Sequence, residues 1–246
     1  MKTSTLFLLG TFAMLSISLA LYDFQLRAEV RKGDYAKPLY RYSTRDLRGF
    51  DRVELRSSTV ANMRLERGPF KVATGPDADD FLITRVEDST LIIEANFSDH
   101  RRGMNSDPVI YVSCPALRSF LSDARYTVRA GIFIDGIDDW GWSKTTTISG
   151  FAGDSLDIHE ENGSNVLLEG NSYKRFTALL GTKKDNYNAP LLKIGDNNHF
   201  DSSDLNILGH GRLEVTGTDI RQLNYHLGDS ARLTLSGSAA RNLKKN

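Results

Sequence analysis

One cysteine, Cys114, in 246 residues leaves no partner for an internal disulfide and no cysteine-built metal site. Net charge is missing too: 31 Lys and Arg offset 31 Asp and Glu, which argues against the basic footprint of a nucleic-acid binder. Hydrophobic residues are 40% of the chain, too many for bulk disorder and too few for a multi-span membrane protein. Helical spacing is sustained nowhere beyond the first 30 residues. Catalytic signatures are also lacking: there is no H-E-x-x-H, no G-x-S-x-G, no phosphate loop and no G-x-G-x-x-G. What is left is a globular chain long enough to bury a sizeable core without staples.

The first thing present is a run without charge from Leu6 to Leu21, with Lys2 before it and Asp23 after it. A short positive flank, an apolar stretch and the small residues Ser18 and Ala20 describe a secretory signal peptide over residues 1–21. An uncleaved anchor is the alternative, since residues 5–22 are at the short end for a hydrocarbon core of about 30 Å. A buried core helix is the third reading. Arg27, Arg31 and Lys32 follow the segment and oppose the positive-inside expectation for an exported C-terminal domain. Residues 22–42 read as a stalk or lead-in, or equally as a first strand or cap. The expected location is the cell envelope, periplasm or surface, with a membrane contact through residues 5–22 if the signal is kept.

From Arg52 on, apolar residues alternate in short runs: Val53 and Leu55, Met63 and Leu65, Phe70 and Val72, Leu91 to Ile93. Period two broken by Gly, Asp, Asn and Pro is the strand signal. In the second half, four segments superpose on glycine: Ile148-x-Gly150, Leu168-x-Gly170, Val215-x-Gly217 and Leu235-x-Gly237. Two intervals are 20 residues each, Gly150 to Gly170 and Gly217 to Gly237; the 47 residues between Gly170 and Gly217 leave room for an insertion near residues 183–188. A fixed period of this size predicts an all-β solenoid, a parallel β-helix over residues 43–246. A β-sandwich with coincidental glycines is the competing architecture.

The stretch Asp46-Leu47-Arg48-Gly49-Phe50-Asp51-Arg52-Val53, then Leu65-Glu66-Arg67-Gly68-Pro69-Phe70-Lys71-Val72, Leu91-Ile92-Ile93 and Val109-Ile110-Tyr111-Val112 resembles the head GIN domain family, described as putative auto-transporter adhesins. The resemblance covers roughly residues 45–243 and implies a right-handed parallel β-helix at a bacterial cell envelope. It carries over no catalytic residues. Ser122-Asp123-Ala124-Arg125-Tyr126 departs from the family's small Gly-Ala turn, and Asp135 to Trp142 looks like an insertion of this chain's own.

That insertion holds the candidate binding residues. Trp140 and Trp142, the only two tryptophans, lie two apart and face one way if extended. Asp135, Asp138 and Asp139 stand beside them. Aromatic faces with carboxylates suit a sugar ring; the bland alternative is packing over a neighbouring strand. No metal, cofactor or catalytic residue is expected: the five His are scattered, the Asp196–Asp204 run lacks EF-hand spacing, and Cys114 reads as a small apolar core residue. The leading expectation is a non-catalytic envelope β-helix that presents an extended surface for adhesion or for an envelope partner or glycan. The alternatives are a polysaccharide-acting enzyme, in which Asp135, Asp138 or Asp139 faces Asp154, Asp157 or Glu160 across a groove, and a membrane-tethered scaffold for a protein partner.

Overall fold

The structure is a computed structural model that describes all residues except 1–2, 35–38, 77, 100–108, 130, 136–143, 183–188 and 242–246. The chain divides into two units, Met1–Arg41 and Tyr42–Asn246. The first contains helix α1, Thr3–Lys32. It is long and apolar enough to cross a membrane, and none of its apolar window is buried.

The second unit carries strands β1 Ser43–Arg45, β2 Arg52–Leu55, β3 Asn62–Arg67, β4 Lys71–Thr74, β5 Leu82–Glu87, β6 Thr90–Phe97, β7 Val109–Cys114, β8 Ser119–Ser122, β9 Arg125–Val128 and β10 Gly131–Ile134. There follow β11 Thr146–Ser149, β12 Ala152–Glu160, β13 Asn165–Glu169, β14 Ser172–Leu180, β15 Leu191–Ile194, β16 His199–Ile207, β17 Arg212–Thr216, β18 Asp219–Leu227, β19 Arg232–Ser236 and a short helix α2, Ser238–Arg241. They form two sheets. One runs β1-β4-β7-β3-β11-β13-β15-β17-β19; the other runs β10-β9-β6-β2-β8-β12-β14-β16-β18, with β5 also on β6.

These are two large mixed sheets, so the expected closed right-handed parallel β-helix is overturned. Antiparallel pairs join β1 to β4, β4 to β7, β5 to β6 and β9 to β10. The physical reason lies in the turns of the first half. Asp88 and Ser89 both have positive φ, 44° and 63°, the two-residue hairpin geometry whose twist folds β6 straight back on β5. Strand order also departs from sequence order, with β3 between β7 and β11 and β2 between β6 and β8.

In the second half the 20-residue interval appears as parallel register, Thr146 opposite Val166 and Leu213 opposite Leu233. Side chains two apart point the same way, so inward rows form across the strands. Val112, Leu65, Ile148, Leu168, Ile194 and Val215 make one such row, each 1% exposed or less. Each fully buried aliphatic side chain contributes about 1.5–3 kcal/mol. Phe176 and Phe200 stack at 4.6 Å in the opposite sheet. The corners between sheets need φ > 0, supplied by Gly150, Gly170, Gly217 and Gly237 at 62–74°.

Beside those corners, buried Asn171 accepts from the Phe151 N–H at 3.0 Å and donates to the Ile148 carbonyl at 2.9 Å. Asn198 does the same for its own turn, accepting from the Asn171 N–H and donating to the Leu168 and Gly195 carbonyls. On the outer face, Asp154, Lys174, Asp201 and Arg221 stand on consecutive strands: Lys174 lies 2.7 Å from Asp154, and Arg221 lies 3.3 Å from Asp201.

Candidate functional site

The outer face of the second sheet changes partners at Arg56. β2 pairs with β6 from Arg52 to Leu55, and β9 meets β6 at Asn96 and Phe97. Backbone bonds from the Arg56 N–H to the Ile93 carbonyl and from the Arg125 N–H to the Arg56 carbonyl stitch the handover. A groove of about 520 Å³ lies at this junction, in the size range of ligand sites.

Its charged lining is Glu54, Arg56, Glu94, Asp123, Arg125 and Glu161. Arg56 Nε donates to Glu54 at 2.6 Å and its Nη1 to Glu94 at 3.2 Å. Arg85 holds the other Glu94 oxygen at 2.5 Å and Glu87 at 2.6 Å. Arg125 lies 3.2 Å from Asp123, which also accepts from the Asn162 amide at 2.6 Å. Glu161 sits 3.2 Å from His159. The Glu54 hydrogen bond raises the Arg56 pKa above its ordinary value, against the opposing effect of burial. Ile83, Leu121, Tyr126 and Ile132 supply apolar walls; Ile132 is 69% exposed.

On the inner side of the same sheet, beneath this surface, lies Glu160. It is fully buried, and among the described residues neither carboxyl oxygen has a hydrogen-bond partner. Burial raises its pKa well above the ordinary 4.5. The hydroxyl of its register neighbour Ser122 is buried and unpartnered as well.

Of the residues proposed from sequence, Asp135 directly follows β10, one of whose residues, Ile132, lines the groove. Its carboxylate accepts from Thr59 at 3.0 Å and from the Tyr126 hydroxyl at 3.3 Å. Asp138, Asp139, Trp140 and Trp142 lie outside the described residues. Of the acids considered as their counterparts, Asp154 is paired with Lys174, Asp157 accepts from the Thr177 hydroxyl, and Glu160 faces inward.

The groove residues were not singled out from sequence, although a signal exists. Glu54-x-Arg56, Arg85-x-Glu87 and Asp123-x-Arg125 place opposite charges two apart, and His159-x-Glu161 sets an imidazole and a carboxylate at the same spacing; on extended backbone such residues share one face. Among the described residues no group of three or more His, Cys, Asp and Glu could hold a metal ion.

No family model matches the sequence. No curated protein matches it either. Solved structures do. The chain is similar to a putative adhesin from Bacteroides fragilis at 12% identity, over 79% of this chain and 96% of that one, with a TM-score of 0.45. It is similar to a putative adhesin from Parabacteroides merdae at 8% identity, over 80% and 95%, with a TM-score of 0.35. A putative lipid binding protein from Parabacteroides distasonis shares 15% identity over 80% and 94%, with a TM-score of 0.29.

Proposed function

We propose that this chain is a non-catalytic cell-envelope protein of the head GIN type, held at or sent across a membrane by α1 and presenting its β-sheet surface for adhesion or partner binding. The observation that carries the reading is the groove, whose carboxylates are each bonded to an arginine or histidine. Groups fixed to one another in this way make a pre-organised recognition surface. The segment Asp135–Trp142 is the second proposed part of the contact: in the sequence it follows the strand from which Ile132 enters the groove. The wholly exposed apolar length of α1 supports the membrane assignment.

The test is to reconstitute the full-length protein in liposomes and measure their adhesion to immobilised bacterial envelope material and to mucin, scoring released reducing ends in parallel. Adhesion that falls in Arg56→Met and Ile132→Asp, with no reducing ends, is the expected result. Reducing ends that disappear in Asp135→Ala would make the protein an enzyme instead. Adhesion unchanged by both groove variants would remove the groove as the contact.

A further inference from the structure

We infer that the β18–β19 end of the two sheets is the surface on which a second copy of this chain joins the first, edge to edge. Among the described residues β18 and β19 close their sheets with no strand beyond them. Yet the apolar rows do not stop there. Leu205 and Ile207 on β16 are 3% and 0% exposed, whereas their register partners Tyr225 and Leu227 on β18 are 47% and 37% exposed. On β19, Leu233 and Leu235 continue the buried Leu213 and Val215 and are themselves only partly buried. A stack of repeated strands that ends in water turns a polar face outward; this one ends on the side chains of an interior strand. Helix α2 puts Ala239 into the core but leaves Tyr225 and Leu227 open.

The backbone argues the same way. Free edges are ordinarily kept short, or are interrupted by proline, lysine or an inward charge. β1 and β10, the edges at the other end of the sheets, have three and four residues. β18 has nine and β19 five, with no proline or lysine in either, so a long row of unpaired N–H and C=O groups stands beside the exposed apolar row. A single foreign strand would pair one of these edges and leave the other. A second copy brings both. A two-fold axis through Tyr225 lays β18 antiparallel on its own copy: Tyr225 meets Tyr225, Leu223 meets Leu227, Asn224 meets His226, and Arg221 comes level with Asp229 of the second copy. No like charges stand opposite. Residues directly opposite share a face, so the half-open apolar row meets itself with an aromatic pair at its centre. The groove is lined from β2, β6, β8 and β9, and β14 and β16 lie between it and this edge. Both grooves therefore stay open in the pair, and two tethered contacts hold a surface more tightly than one. The inference does not depend on what the groove binds.

The experiment measures the mass of detergent-solubilised full-length protein by sedimentation over a range of concentrations, for wild type and Tyr225→Lys, and oxidises Tyr225→Cys with copper phenanthroline. Cys114 is buried and does not compete. Expected are a wild-type dimer and a dissociation constant raised about tenfold or more in Tyr225→Lys, because the axis sets two ammonium groups face to face. Tyr225→Cys should give a disulfide-linked dimer, since directly opposed Cα atoms lie about 4.5–5.5 Å apart. Tyr225 is half exposed in the single chain, so neither substitution enters the closed core, and an unchanged circular dichroism spectrum checks it. Ile132→Cys, on the edge at the other end, should stay unlinked. A wild type that remains monomeric at every concentration would overturn the inference. So would a dimer that keeps its dissociation constant in Tyr225→Lys and gives no cross-link in Tyr225→Cys, since the joint would then lie elsewhere, α1 included. Cross-linking of Ile132→Cys in place of Tyr225→Cys would move the joint to β10 and overturn it as well.

Discussion

Glu160 should make this protein less stable as pH rises from acid to neutral, and replacing it should remove that loss. Its row across the sheet reads Leu55, Ser122, Glu160, Leu180, Ile207, so a carboxyl stands where the neighbouring strands mostly place aliphatic carbon. Burial holds the proton on the folded form above the ordinary 4.5. The folded state therefore binds more protons than the unfolded chain, and stability declines with pH from about 4.5 upward until the folded group ionises. The slope is about 1.4 kcal/mol per pH unit, so three units up to pH 7.5 amount to about 4 kcal/mol, an upper bound reached only if Glu160 remains protonated throughout. Glu160→Leu, which continues the apolar row, should be the more stable protein at neutral pH by at most that amount, a ceiling of roughly 8–16 °C in Tm for a domain of this size. Urea denaturation of wild type and variant from pH 4.5 to 8 measures the difference directly and cancels the other titrating groups. A difference that stays flat across this range would refute the reasoning.

Three further outcomes follow from the same geometry. Gly181→Ala places a Cβ 2.6 Å from the Leu208 carbonyl oxygen at φ +76°, whereas Gly150→Ala, at φ +74°, meets open space; the second should cost about 1–2 kcal/mol and the first clearly more, by denaturant midpoint. Asn171→Ala strips partners from the Phe151 N–H and the Ile148 carbonyl, each worth about 1–3 kcal/mol when buried and unmet, and should lower Tm accordingly. Burial pushes the Cys114 thiol up to about 12, so at pH 8 only about one molecule in 10⁴ holds a thiolate. Iodoacetamide should leave it unlabelled until urea is added, and rapid labelling of folded protein would contradict its burial.

The second half of the chain was legible because its strands obey two local rules, alternation and a corner residue with positive φ. One corner carries no glycine: Asn197 takes φ +61° and falls 20 residues before Gly217, which resolves the 47-residue interval into two turns of chain. The first half resisted the same reading. Its hairpin turn is Asp88-Ser89 rather than a glycine pair, and nothing in the spacing shows that β2 and β3 stand beside strands far along the sequence. The groove draws its charges from segments as distant as Glu54 and Glu161, and only pairing order brings them together. The Asp and Trp segment stands out by composition, whereas the ion-paired residues carry ordinary surface chemistry until the sheet assembles them.

The row Asp154, Lys174, Asp201 and Arg221 alternates in sign along consecutive strands. Strands of equal length with similar apolar rows invite misthreading during folding, because a strand seated one place out of order still buries leucine against leucine. The charges break that degeneracy. A chain that skipped one strand would set Asp154 beside Asp201 and Lys174 beside Arg221, and like charges directly opposite are destabilising. The ladder therefore acts as a proofreading mark for assembly order, adding little to the finished fold while penalising the wrong one as it forms.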